Sequence, residues 1–276
     1  NELSANLHLK YFYPELAYHL DQIEAFTSLD ETSRQAVLDQ LRQTLSMGSN
    51  YEPVHGSILN IEASRIAYHM GIEGANYVVD AACATSLAAV DCAVKELLSG
   101  THDMVIAGGV NTNLAPETFV GFCKMGALSD LGSFPFDERA SGFVLGEGAG
   151  AVVLKRLKDA KRDGDPILGV IRGIGSGSDG KGKAIAAPSA KGQTVTLNRC
   201  YEAMKSGIRI EDIDFIEAHG TSTIAGDQAE IETLTNFYRS DRPIGISSIK
   251  SQIGHLLGGA GYAGLIKAML AIRHHT

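Results

Sequence analysis

The chain has 276 residues, 44% of them hydrophobic and 20% charged, enough apolar content for one large domain or two modest ones with a real core. Its formal net charge of −8 offers no general attraction for nucleic acid or anionic lipid, and no basic run interleaved with aromatics appears. The four cysteines, Cys83, Cys92, Cys123 and Cys200, show neither a C-x-x-C pair nor ligand-like spacing, which argues against a disulfide framework or a metal site and for a reducing, cytoplasmic setting.

No signal peptide opens the chain, and the longest apolar stretch, 253–266, is interrupted by His255 and several glycines, too broken for a membrane span. The first residue is Asn, so the chain is expected to be a piece of something longer. Residues 28–46 read as an amphipathic helix: Ser28 and Glu31 have capping-box spacing, and Val37, Leu38, Leu41 and Leu45 recur on one face. The stretch 47–53 is loop-like, and a short helix is expected over 58–70. Tyr77, Val78 and Val79 favour a buried strand. The alanine- and leucine-rich run 87–98 reads as a helix stopped at Ser99-Gly100.

Cys83 stands at that junction of strand and helix, where free N–H groups and the helix dipole favour thiolate over thiol. One cysteine alone is more often a packed core residue, so the rest of the chain has to decide. Residues 102–109 predict a buried strand running into a glycine turn. Residues 142–154 are glycine-rich and then strand-like, followed by the charged segment 155–161. Gly146-Glu-Gly-Ala-Gly150 lacks phosphate-loop spacing and precedes a strand instead of opening a helix, so tight backbone packing is its reading.

Asp163-Gly-Asp-Pro166 is the clearest break, and a second half opens with 167–174. Lys181 and Lys183 read as a solvated loop, and His274 and His275 carry little signal. Two further strand-to-turn units follow, over 214–220 and 244–255, the latter leading into a small-residue helix over 260–272. Strands alternating with helices imply an α/β fold. The similarity of the last unit to the cysteine unit suggests an internal duplication. Ligands of α/β sheets bind beyond strand carboxyl ends, and Cys83, His219 and His255 each occupy such an end. Lys250 lies five residues before His255, near the same strand end.

Three strings carry a resemblance: Val79-Asp-Ala-Ala-Cys-Ala-Thr-Ser86, Glu217-Ala-His-Gly-Thr-Ser-Thr223 and Ser248-Ile-Lys-Ser-Gln-Ile-Gly-His255. In that order they resemble the active-site motifs of β-ketoacyl synthases. Phe136-Asp137, Gly142-Phe-Val-Leu-Gly-Glu-Gly-Ala-Gly150 and Gly121-Phe-Cys-Lys-Met-Gly-Ala-Leu-Ser129 resemble the same family. The wording is most similar to ketosynthases of iterative type I polyketide synthases and polyunsaturated fatty acid synthases.

The resemblance implies a thiolase-like layered αβαβα fold with two duplicated halves, and a decarboxylating Claisen condensation. It implies Cys83 as the acyl acceptor, His219 and His255 as stabilisers of the enolate, Lys250 as their electrostatic support, and Thr221 and Thr223 as substrate-binding residues. The Cys83 N–H would serve an oxyanion hole. No metal or redox cofactor is implied; substrates would ride on the phosphopantetheine of an acyl carrier protein, and the enzyme would be a homodimer. By this reading 1–70 is a helical connecting region, 71–165 part of a first half with the nucleophile, and 166–276 a second half with both histidines. The Gly-Phe-Gly-Gly motif that ends such domains and the usual opening strand are absent, so the chain resembles the middle of a domain. The alternatives are a thiolase, which uses one histidine and a second cysteine, a non-catalytic chain-length or scaffold protein, which typically lacks the cysteine, and a cysteine hydrolase, which leaves the second histidine idle.

Overall fold

The computed structural model describes residues 13–46, 58–182, 184, 187–203 and 207–274. The loop expected over 47–53, together with Lys183 and His275, lies outside them. The chain divides into two units, Asn1–Val78 and Val79–Thr276.

The first unit is helical: α1 (Tyr13–Leu20), α2 (Glu24–Thr27), α3 (Glu31–Ser46) and α4 (Asn60–Met70). The expected helix over 28–46 forms but starts later, and Ser28 does not cap it. Asp30 does: its Oδ1 accepts the Ser33 N–H at 2.9 Å and its Oδ2 the Ser33 hydroxyl. A carboxylate at an N-cap satisfies orphan donors and favours the positive end of the helix dipole. Ser28 instead closes α2, its hydroxyl donating to Ala25 O. Of the apolar stripe, Leu38 and Leu41 are half-buried and Val37 is exposed.

The second unit holds every candidate site residue. A 3₁₀ turn over Ala82–Ala84 leads into α5 (Thr85–Ser99), which Gly100 ends in the left-handed conformation. Then come β1 (Met104–Asn111), α6 (Pro116–Lys124), β2 (Gly148–Lys155), α7 (Leu157–Asp163) and α8 (Ala190–Ala203). The chain continues with β3 (Phe215–Glu217), α9 (Ile224–Phe237), β4 (Gly245–Ser247), α10 (Lys250–Ile253) and α11 (Ala260–His274). β1 and β2 pair antiparallel, with Ala107 opposite Val152 and Val105 opposite Leu154; β3 and β4 pair in parallel. Those two cross-strand pairs share a face. Val90 and Ala93 of α5 pack there with Leu265, Ile266 and Met269 of α11. α11 also reaches the second sheet, where Lys267 pairs with Glu217 at 2.8 Å.

Three expectations are corrected. Tyr77–Val79 joins none of the four strands of the described residues, and Tyr77 and Val78 are exposed; β-branched residues favour extended backbone, but a strand also needs a ladder. β1 starts two residues later than the 102–109 run and continues in register through Gly108 and Gly109 to Asn111, where a glycine turn was expected, with only Ala107 and Asn111 buried. Residues 167–174 have no regular secondary structure. Gly164, in the expected break at 163–166, terminates α7 with φ of 72°.

Candidate active site

Cys83 sits in the 3₁₀ turn two residues ahead of α5. Ala82, just before it, holds φ of 50°, a conformation that costs a non-glycine residue energy and recurs at active sites. Neighbouring donors are occupied: Ala81 N–H by Thr85 Oγ1, Ala82 N–H by Asp80, and Ala84 N–H by Ala81 O. Burial pushes the Cys83 thiol up; the charge of Lys250 and the residue's own N–H only partly offset this. The expected bias toward thiolate is thus reversed, because desolvation penalises the charged sulfur more than the turn rewards it.

His255 is 1% exposed. Its backbone N–H donates to Val144 O at 2.7 Å and its carbonyl accepts the Gly146 N–H at 3.1 Å, fastening it beside the 143–146 segment. The Phe143 ring meets the imidazole edge to face at 4.9 Å. The glycines of 146–150 make room for this, as a tight-packing reading requires. A Cβ on Gly146 would lie 2.2 Å from Ile253 O, and one on Gly150 2.0 Å from the Tyr262 ring. The Leu257 N–H donates to His255 Nδ1 at 3.1 Å.

The His219 and His255 rings lie 5.7 Å apart, nearly perpendicular. His219 is reachable by solvent yet surrounded by protein. Desolvation, reinforced by Lys250, lowers its pKa to about 4. Desolvation, Lys250 and His219 lower that of His255 to about 3. Both imidazoles are therefore neutral near pH 7. Lys250 is buried, and its Nζ donates to His219 O at 2.5 Å. Burial lowers the Lys250 pKa against the opposing pull of Glu230, Cys83 and Glu217. Lys250 is thus the electrostatic neighbour that Cys83 and both histidines share.

Residue chemistry alone did not single out Glu230 and Asp227. Glu230 Oε1 and Oε2 accept the N–H groups of His219 and Gly220, each at 2.7 Å. Burial raises its pKa and those bonds oppose the rise. Asp227 Oδ1 accepts the Ser222 N–H and Oδ2 the Phe136 N–H. Both acids lie on the first turns of α9, eight and eleven residues after His219, and that helical placement was the one available signal. Thr221 and Thr223 share a hydroxyl–hydroxyl bond of 3.0 Å; Thr221 is buried and Thr223 half-buried. Lys181 is exposed, and His274 ends α11.

Comparison with known proteins gives this arrangement its family. Residues 20–160 match the N-terminal domain of beta-ketoacyl synthase, and 168–276 match its C-terminal domain. The chain belongs to the β-ketoacyl synthase family. It is similar to polyketide synthase PksL of Bacillus subtilis, 42% identical over 80% of this chain and 5% of that protein. A phenolphthiocerol/phthiocerol polyketide synthase polypeptide of Mycobacterium tuberculosis is 41% identical over 79% of this chain and 12% of that protein. Among solved structures, the ketosynthase from module 6 of the Bacillus subtilis bacillaene synthase aligns with a TM-score of 0.76 and 42% identity. That alignment covers 82% of this chain and 42% of the ketosynthase. The chain thus has the thiolase-like fold of these ketosynthases and spans less than half of the solved domain, and a small fraction of each synthase.

Proposed function

We propose that this β-ketoacyl synthase chain carries the condensing centre of a polyketide- or fatty-acid-extending enzyme. The observation that supports it most is the pair of neutral imidazoles 5.7 Å apart, both under the field of the one lysine that also faces Cys83. A cysteine hydrolase needs one such ring; two donors beside a nucleophile suit an enolate.

The Cys83 thiol gives up its proton through water, neither imidazole being required for this step. The resulting thiolate attacks an acyl thioester, and the carrier leaves as a thiol, taking that proton. A malonyl-type thioester on an acyl carrier protein then loses CO2. Its carbonyl oxygen gathers the negative charge, stabilised by N–H donors of His219 and His255. The enolate carbon attacks the acyl carbonyl on Cys83, whose own N–H receives the developing oxyanion. Collapse expels the Cys83 thiolate and leaves a β-ketoacyl chain, longer by two carbons, on the carrier.

Lys250 acts through charge and position. Its ammonium lowers both imidazole pKa values, keeping the rings neutral, and holds the His219 carbonyl. Thr221 and Thr223 would contact the pantetheine arm. Substrates arrive on phosphopantetheine, so an acyl carrier protein is the partner, and a second copy of the chain completes a homodimer. A reducing cytoplasm keeps Cys83 a free thiol.

Intact-protein mass spectrometry after incubation with an acyl thioester tests this reading. The chain should gain one acyl mass, and Cys83→Ala should abolish the gain. Undiminished loading on that variant would sink the proposal. His255→Ala should load normally but release CO2 from malonyl thioester at least ~100-fold more slowly, the cost typical of removing an oxyanion donor.

A further inference from the structure

Four non-glycine residues of the described chain hold positive φ: Ala82 at 50°, Phe136 at 63°, Ser222 at 63° and Leu257 at 43°. Three lie within three residues of Cys83, His219 or His255. Phe136 is the exception in sequence, more than 80 residues before His219, and it is the bulkiest of the four. A turn needing only that backbone conformation would be served better by glycine. A phenylalanine there points to a role for its ring.

The ring's position shows what. Phe136 Cε2 lies 3.2 Å from where a Cβ on Gly220 would stand, so it rests on the backbone next to His219. Its N–H donates to Asp227 Oδ2 at 2.6 Å, while Oδ1 of the same carboxylate accepts the Ser222 N–H at 3.0 Å. One buried carboxylate therefore ties together the two residues with φ of 63°. Two more bonds close the seam: the Phe134 N–H donates to Ser222 Oγ at 2.9 Å and the Gly142 N–H to Ser222 O at 2.7 Å. The His219–Gly220 peptide is meanwhile gripped at its N–H groups by Glu230 and at its carbonyl by Lys250. The Gly220 carbonyl accepts the Ser248 hydroxyl at 3.1 Å, and Phe136 packs against the same glycine, with Ser248 Cβ 2.7 Å from the same Cβ position.

We infer that Phe136 is a positioning residue for His219, its strained backbone and ring fixing the His219–Gly220 peptide so that the imidazole faces the reacting thioester. This inference rests on the condensing function proposed above. It predicts a split between half-reactions, since acyl transfer to Cys83 needs the sulfur and its own turn, whereas decarboxylation and condensation need the His219 ring in register.

The test measures both half-reactions in the full chain carrying Phe136→Gly, Phe136→Leu or Phe136→Tyr. An acyl N-acetylcysteamine thioester reports loading by mass, and malonyl carrier thioester reports CO2 release. Phe136→Gly relaxes the backbone but removes the ring. Loading should stay within about twofold, while CO2 release falls roughly 10- to 100-fold, the penalty for a catalytic group displaced by an ångström or less. Phe136→Tyr should restore release to within a few-fold. If Phe136→Gly does not fold, Phe136→Leu, which keeps bulk without the planar ring, should show the same split. Equal loss of both half-reactions in a folded variant, or no loss of either, overturns the inference. Failure of the unaltered chain to load acyl groups on Cys83 would instead overturn the proposed function.

Discussion

The Leu257 N–H points at His255 Nδ1, so the proton of the neutral ring resides on Nε2, the nitrogen left free to donate. Nitrogen-15 NMR at pH 7 should show an unprotonated Nδ1 and a protonated Nε2 for His255; the opposite tautomer would contradict the donor role. Burial dominates the protonation of this neighbourhood, and the Lys250 charge adds to it, lowering both histidines and opposing the rise of the Cys83 thiol. Lys250→Met should therefore raise both histidine pKa values and raise the Cys83 thiol further, read from imidazole proton shifts and from the pH dependence of alkylation. A fall in the histidine values would reverse the assignment. The candidate residues Cys83, His219 and His255 were legible because cysteine and histidine announce their chemistry in motif contexts. Glu230 and Asp227 were not, and Phe136 was legible only as part of a family-like string with no role attached, because their work is backbone hydrogen bonding and packing, which any acid or aromatic could perform in sequence.

Among the elements, segment 143–150 and the turn before α11 fit only because glycine leaves the space. A Cβ at Gly146 would approach Ile253 O to 2.2 Å, a backbone atom of the turn that carries His255 and one that cannot rotate away. Gly146→Ala should cost about 1–3 kcal/mol or more, measured by urea unfolding, and should slow decarboxylation as His255 shifts. A neutral result would mean that the turn yields freely. In the first unit, Asp30→Ala should cost about 1 kcal/mol through loss of the α3 cap, whereas Ser28→Ala should leave α3 intact, read by circular dichroism. The capping-box pattern pointed to Ser28 because spacing alone cannot tell which of two nearby polar residues has non-helical backbone. The run 77–79 misled for a related reason: strand propensity describes a residue, and a strand exists only with a neighbour. The helices α5 and α11 were legible from composition and the glycine stop of α5 from a single residue, whereas α7 was read only as a charged segment.

Across the whole molecule, the two histidines couple the candidate site to folding through pH. Both folded pKa values, about 4 for His219 and about 3 for His255, lie below the ordinary 6.5. The unfolded chain therefore binds more protons than the folded one between those values, and stability falls as pH drops from 6.5 toward 4. For the fully buried His255 the loss between pH 6.5 and 5 is about 2 kcal/mol. Burial raises the pKa of Asp227 and Glu230, which acts with the opposite sign: the folded state takes up protons there first, partly cushioning the loss at the acid end. The histidine share is isolated by comparing unfolding free energies of the unaltered chain and His255→Asn from pH 7.5 to 5. The variant should show a shallower decline, by about 2 kcal/mol over the interval. Parallel curves would mean that His255 is not held neutral by burial, and would count against its proposed role as a neutral hydrogen-bond donor.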